Sequence, residues 1–104
     1  EERVARLGRK EFMREVKGTA RAVLKRLQRE DGERFDRVSF FQRGYDVKEV
    51  DAFAVKLEEF LRGGAPLSLR EVRSAAFTSK RGGYREAQVD LLLDAVIDVM
   101  LAIR

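Results

Sequence analysis

Few side chains in this sequence could do covalent or metal chemistry, because it has no cysteine and no histidine. Disulfides, thiolate nucleophiles, an imidazole base and zinc sites of the usual ligand types are therefore excluded. Three carboxylates, Asp90, Asp94 and Asp98, lie one helical turn apart. A metal site needs ligands that converge, and a row along one helix does not supply them. We therefore expect no enzyme activity, no metal and no cofactor, and expect this row to pair with basic side chains or to be solvated.

The basic side chains are concentrated at the start of the chain. The formal net charge is +4, and residues 1–30 hold ten basic and five acidic side chains. Four of the basic residues recur at helical spacing and form a row: Arg14, Lys17, Arg21 and Lys25. Such a row could bind nucleic acid or an anionic membrane. The alternative is a solvated helix face, which we favour because no aromatic side chains accompany the row to stack on bases.

Hydrophobic spacing predicts four helices that would position these rows. They cover residues 3–30, 47–61, a short segment from Ser68 to about Ala76, and 86–103. Gly8 and Gly18 are points where the first helix could break. Ser68 and Glu71 form a predicted capping box at the start of the third helix. The predicted fold is all-α, a long N-terminal helix and two short turn-helix modules packed as a small bundle.

The second helix has the clearest start signal. Asp46 can cap it, and Glu49 lies three residues later, where its carboxylate can reach back to complete a capping box. Tyr45 and Val50 flank the cap at the spacing of a hydrophobic staple. Gly44 supplies the backbone freedom to turn the chain into the helix. This segment is the one that the rest of the chain repeats.

The repeat has a period of 39 residues. Placing Tyr84 on Tyr45 puts Val89 on Val50, and it aligns the aspartates that follow, at 90 and 51. A duplicated module explains this better than a solenoid, which needs more copies. We therefore divide the chain into a basic amphipathic helix (1–34), a first module (35–64) and a second, degenerate module (65–104).

The first module resembles a known family. Arg43-Gly44-Tyr45-Asp46 and Glu49-Val50-Asp51-Ala52-Phe53 are similar to the short conserved region of the DivIVA family of bacterial division and polar-growth scaffold proteins. The second copy repeats the pattern around Gly83-Tyr84, so the chain looks like an actinobacterial protein with tandem DivIVA modules. The resemblance covers about residues 35–104.

The resemblance implies a non-enzymatic scaffold or adaptor. In the family, an aromatic side chain flanked by arginine inserts into the membrane and a coiled coil dimerises the protein. The residues expected to contact a membrane or partner are Arg37, Phe40, Phe41, Arg43, Phe77, Lys80 and Arg81. The alternative is that the three phenylalanines fill the core of a small helical domain.

The partners and location follow from the same resemblance. We expect a homodimer in the cytoplasm, peripheral at the inner face of the membrane, with other division or cell-envelope proteins and anionic lipid as partners. Nucleic-acid binding through the N-terminal basic helix is the alternative function, and we rank it second.

Overall fold

The computed structural model describes residues 8–103, which are mostly helical, as predicted. In chain order the elements of this part of the protein are α1 (Arg9–Leu27), β1 (Arg43–Tyr45), α2 (Val47–Leu61), α3 (Leu69–Arg73), β2 (Ser79–Arg81) and α4 (Glu86–Ile103). The two short strands pair antiparallel. This small sheet was not predicted, because three-residue strands carry too little alternation to detect.

The helix bounds agree closely with the sequence patterns, except for α1 and α3. The prediction of a first helix from residue 3 lies partly outside the described residues, and its end falls at Leu27 rather than near Glu30. Gly18 does not break α1, since the helix runs through it. Helix α3 ends at Arg73 instead of Ala76. The Ser68–Glu71 capping box is confirmed, with both of its hydrogen bonds present.

The predicted capping box of α2 is only half right. The Asp46 carboxylate accepts a hydrogen bond from the Glu49 backbone N–H at 3.1 Å, as expected. The Glu49 carboxylate, however, accepts from the Thr78 N–H at 2.8 Å instead of reaching back. The Asp46 N–H in turn donates to the Thr78 carbonyl, also at 2.8 Å. The Asp46 N–H and the Glu49 carboxylate, which would bond to each other in a capping box, therefore both bond to Thr78 of the second repeat.

The core lies where the apolar faces of α1, α2 and α4 meet, with the connecting segments closing one end. Helices α1 and α4 are antiparallel, since Ala22 lies near Leu91 and Phe12 near Leu101. The buried core residues are Val23, Leu27, Phe35, Val50, Ala54, Leu57, Val72, Tyr84, Val89, Leu92, Val96 and Met100. This core holds residues from all four helices and from the segments that join α1 to β1 and β2 to α4.

Candidate functional site

The backbones of the two repeats meet where residues 43–45 run antiparallel to residues 79–81 and to Tyr84, and we call this contact the crossing. Gly44 and Tyr45 of β1 pair with Lys80 and Ser79 of β2. Tyr45 also pairs with Tyr84, its own counterpart in the second copy: the Tyr45 N–H donates to the Tyr84 carbonyl at 3.0 Å, and the reverse bond measures 2.9 Å. Tyr45 and Tyr84, which occupy equivalent positions in the repeat, are thus partners in space.

Two glycines allow the backbones to come this close. A Cβ atom at Gly44 would collide with the Tyr84 carbonyl oxygen, and one at Gly83 would collide with the Tyr45 carbonyl oxygen. Gly44 does not have a positive φ angle. Our expectation that it provides backbone freedom was therefore wrong, because what this position requires is space for the crossing strand.

The tyrosine side chains are also bonded reciprocally, because each one donates a hydrogen bond to an aspartate of the other copy. The Tyr45 hydroxyl donates to Asp90 Oδ1 at 2.8 Å, and the Tyr84 hydroxyl donates to Asp51 Oδ1 at 2.8 Å. Asp51 and Asp90 occupy equivalent positions in the repeat. Each tyrosine therefore fastens its own loop to the helix of the other copy.

The two tyrosine–aspartate bonds differ in their surroundings. Tyr84 is 0% exposed and Asp51 only 6%. The buried Arg34 lies 2.9 Å from Asp51 Oδ1, and its backbone N–H donates to the Tyr84 hydroxyl at 3.3 Å. The Gly32 N–H donates to the other Asp51 oxygen at 2.8 Å. No buried side-chain nitrogen or oxygen among the described residues lacks a hydrogen-bond partner, so this is a satisfied buried ion network.

The pKa values in this network are shifted by burial and by the charges. Burial, followed by the hydrogen bond to Asp51, raises the pKa of Tyr84 to about 12. Burial alone would lower the pKa of Arg34, but its bonds to Asp31 and Asp51 outweigh that effect and raise the pKa. Both side chains therefore keep their protons throughout the neutral pH range.

Sequence reasoning missed this network. The repeat marked Asp51 and Tyr84 as important, but it did not indicate that they bond to each other. Nothing in the pattern singled out Arg34. The only available signal was the alignment of Asp51 with Asp90, two acidic residues near the apolar faces of their helices.

A tight turn next to the crossing exposes two phenylalanines. The Gln42 N–H donates to the Ser39 carbonyl at 2.9 Å, which places Phe40 and Phe41 at the two central positions. We call residues 39–42 the phenylalanine turn. The Gly82 N–H donates to the Gln42 carbonyl at 3.0 Å and so anchors the turn to the second copy.

The phenylalanine turn carries its rings outside the core. Phe40 is 69% exposed and Phe41 86% exposed, and their centroids lie 5.7 Å apart in an edge-on arrangement. The alternative that these two side chains fill the core is therefore wrong.

Two arginines flank the phenylalanine turn, as predicted. Arg37 donates to the Gly82 carbonyl, with its Nε 2.6 Å away. Arg43 donates from Nε to the Ser79 hydroxyl at 2.9 Å and from Nη2 to the Ser79 carbonyl at 3.1 Å. Both side chains are exposed. A guanidinium has five N–H donors, so each keeps free donors for an anion while it braces the loop.

The two predicted cations of the second copy lie on β2. The Lys80 ammonium is 3.5 Å from Asp46 Oδ2, and Arg81 is exposed. The pKa of Asp46 is lowered, first by the hydrogen bond from the Glu49 N–H and then by the Lys80 charge. Lys80 is thus joined to the α2 cap, while the Arg81 side chain points into solvent.

Phe77 does not belong to this exposed surface, which corrects our expectation for the second copy. It is half-buried against the core, with its ring 5.3 Å from Tyr45 and 6.1 Å from Phe53. The repeat period aligns Phe77 with Val38, not with the phenylalanine turn. That mismatch of two to three residues was the available signal, because such a shift changes which way a loop side chain points.

The basic row of α1 is exposed along its whole length. Within residues 8–103, no salt bridge joins this row to the carboxylates of α4; Arg14 pairs with Glu11 at 3.1 Å instead. Asp90 is bonded to Tyr45, while Asp94 and Asp98 are exposed. The expected pairing of the two rows therefore does not occur within the described chain, and nucleic-acid binding by the basic row stays a prediction.

Comparison with family models, curated proteins and solved structures finds no significant match to this chain. The DivIVA resemblance therefore rests on its motif residues and stays a prediction. No helix within the described residues is long and apolar enough to cross a membrane.

Proposed function

We propose that this chain is a non-enzymatic scaffold module that contacts anionic membrane surfaces through the phenylalanine turn. One observation carries the proposal: Phe40 and Phe41 are 69% and 86% exposed at the tip of a braced turn. Single exposed apolar residues are ordinary, but two adjacent aromatic rings between arginines are unusual for a surface that meets only water. Aromatic rings and cations suit the headgroup region of an anionic bilayer.

The expected affinity is modest. Full burial of the two rings would contribute about 3–6 kcal/mol. Arg37 and Arg43 on an anionic leaflet would add about 1 kcal/mol each. The total of about 5–8 kcal/mol corresponds to a dissociation constant between about 0.2 mM and about 1 µM. Contact by one chain is therefore reversible, which suits a scaffold that binds firmly only in larger assemblies.

The crossing of the repeats supports the scaffold part of the proposal. Gly44, Tyr45 and Asp51, which carry the DivIVA resemblance, each make a contact that joins the two copies. These contacts brace the loop that bears the phenylalanine turn, so its rings need little ordering on binding. We propose a role like that of DivIVA proteins, at the cytoplasmic face of the membrane with division or envelope proteins as partners.

Co-sedimentation with lipid vesicles tests the membrane contact. We expect the protein to sediment with vesicles rich in phosphatidylglycerol and to bind phosphatidylcholine vesicles about 30-fold more weakly, because the two arginines then contribute nothing. The Phe40→Ser/Phe41→Ser variant should bind at least about 100-fold more weakly, since about 3 kcal/mol or more is removed. Both rings are exposed, so circular dichroism should show an unchanged fold.

A matched control keeps the test specific. Val55 is an exposed apolar residue on α2, far from the turn in sequence and not part of the crossing. Val55→Ser should bind anionic vesicles like the wild type. The proposal fails if the wild type ignores anionic vesicles, or if the folded double variant binds them as well as the wild type does.

A further inference from the structure

A second surface, independent of the proposed membrane contact, lies along the open side of the α1–α4 pair. It is a groove with a cavity at each end, of about 280 Å³ and about 400 Å³. The smaller cavity is lined by Ala22, Arg26 and Leu91, among others, and the larger by Phe12 and Asp98, among others. No described residue of α2 or α3 lines either cavity, so this side of the two helices has no partner within residues 8–103.

Most of the groove lining is apolar, and its largest apolar side chains lie at the two ends. Leu91 is 68% exposed at one end, and Phe12 and Leu101 are exposed at the other. Between them lie the smaller side chains of Thr19 and Ala22. Large residues at the ends and small residues in the middle allow a second helix pair to approach closely at the centre while its own large residues enter the end cavities.

The charges of the groove are arranged so that it is complementary to itself. Arg26 lies at one end, whereas Glu15 and Asp98 lie together at the other end, because α1 and α4 are antiparallel. A second copy turned end over end would place its Arg26 beside these two carboxylates, and the reverse contact would form at the same time. A twofold axis along the helices would instead bring the carboxylates of both copies to the same level, where they repel.

We infer that this groove binds a second copy of the chain, packed face to face and end over end as an antiparallel four-helix bundle. Phe12 of one copy would enter the cavity beside Leu91 of the other. From Phe12 to Arg26 the helix rises about 21 Å, and two adjacent helices are about 20 Å wide. Such a face covers about 420 Å² of each copy, or about 840 Å² in total, which is the size of a weak interface, so we expect a dissociation constant in the high micromolar range.

Cysteine trapping tests the predicted arrangement, because the chain has no cysteine of its own. Thr19 lies in the groove lining midway between Phe12 and Arg26, close to the predicted twofold axis. Under mild oxidation Thr19→Cys should form a disulfide-linked dimer at least ten times faster than the control Lys56→Cys, which lies exposed on α2. Equal rates at the two positions would overturn the inference.

Sedimentation equilibrium measures the same dimer without a crosslink. The wild type should approach twice its mass through the high micromolar concentration range. Leu91→Glu should raise the dissociation constant at least tenfold, and because Leu91 is 68% exposed its fold should not change. Val55→Glu, on the exposed side of α2, should leave the constant unchanged. A wild type that stays monomeric up to about 1 mM, above the expected high micromolar range, would overturn the inference.

Charge exchange distinguishes the end-over-end arrangement from any other. Arg26→Glu should weaken the dimer, as should the double variant Glu15→Lys/Asp98→Lys, since each places like charges together. A mixture of the two variants should form heterodimers at least as tight as the wild-type dimer, because every pair is then restored. Circular dichroism checks that Arg26→Glu folds, since the Arg26 side chain also lies over the Phe35 ring. Folded variants that fail to form heterodimers would refute the arrangement.

Discussion

Removing the phenolic oxygen from each tyrosine of the crossing should affect stability very differently. Tyr84→Phe removes a hydrogen bond to the buried carboxylate of Asp51 and leaves the buried Arg34 N–H without an acceptor. A bond to a charged group contributes about 1.5–3 kcal/mol, and an unsatisfied buried donor costs about 1–3 kcal/mol. The two effects overlap, because they share one oxygen, so we expect a loss of about 3 kcal/mol.

Tyr45→Phe is the matched control within the same chain. It removes a bond of the same length, 2.8 Å, between the same two residue types. Asp90 is exposed, however, so water can replace the lost hydroxyl. We expect a loss below about 1 kcal/mol.

Urea unfolding followed by circular dichroism measures both values. Each variant should shift the midpoint while keeping the wild-type slope, which shows that the same surface is exposed on unfolding. For a domain of ordinary stability, about 3 kcal/mol is a large part of the total and will be resolved easily. Equal losses for the two variants would refute the reasoning, because burial of the Asp51 network would then have no energetic effect.

Two further predictions concern the glycines and the dependence on pH. Gly44→Ala should destabilise the fold by about 3 kcal/mol or more, because the added methyl group would collide with the Tyr84 backbone, which cannot move aside. Gly18→Ala on α1, where no atom lies within 4 Å of the added methyl group, should stabilise the fold by about 1 kcal/mol. Thermal melts that rank the two variants the other way would contradict this prediction. Since the pKa of Tyr84 is raised from 10.0 to about 12 in the folded state, the stabilisation from its proton is complete below pH 10 and is lost between pH 10 and 12, by about 1.4 kcal/mol per pH unit. In urea titrations across that window Tyr84→Phe should lose stability less steeply than the wild type, and an unchanged slope would show that the hydroxyl titrates normally.

Local patterns predicted the helices well, because their start signals act within a few residues. Ser68 and Glu71 form their capping box without help from the rest of the chain. Asp46 and Glu49 show the same pattern, but here Thr78 comes close enough to take the Glu49 carboxylate. A capping pattern therefore predicts where a helix begins more reliably than it predicts which donor its glutamate accepts from.

The candidate site was predicted less completely, because it depends on how the two copies meet. The repeat showed that Tyr45 and Tyr84 are equivalent, and equivalence alone allows two arrangements, side by side or exchanged. The close contact at Gly44 and Gly83 and the hydroxyl bonds to Asp90 and Asp51 show that the copies are exchanged. For the same reason Phe77 was predicted to lie on the surface, whereas its ring packs against Tyr45 of the other copy.

Only the first copy presents aromatic rings to solvent at the phenylalanine turn, because the second copy has Ser79 and Lys80 at the positions equivalent to Phe40 and Phe41. The buried part of the crossing joins Asp51 of the first copy to Tyr84 of the second. The phenylalanine turn lies outside that network, and its exposed rings do not contribute to the core. Each chain therefore has a single such turn within its described residues, at the end of the molecule where α1 ends and α4 begins. An end-over-end dimer would hold its two phenylalanine turns at opposite ends. Such a dimer could contact two membrane surfaces, but it would not place both turns on the same flat surface.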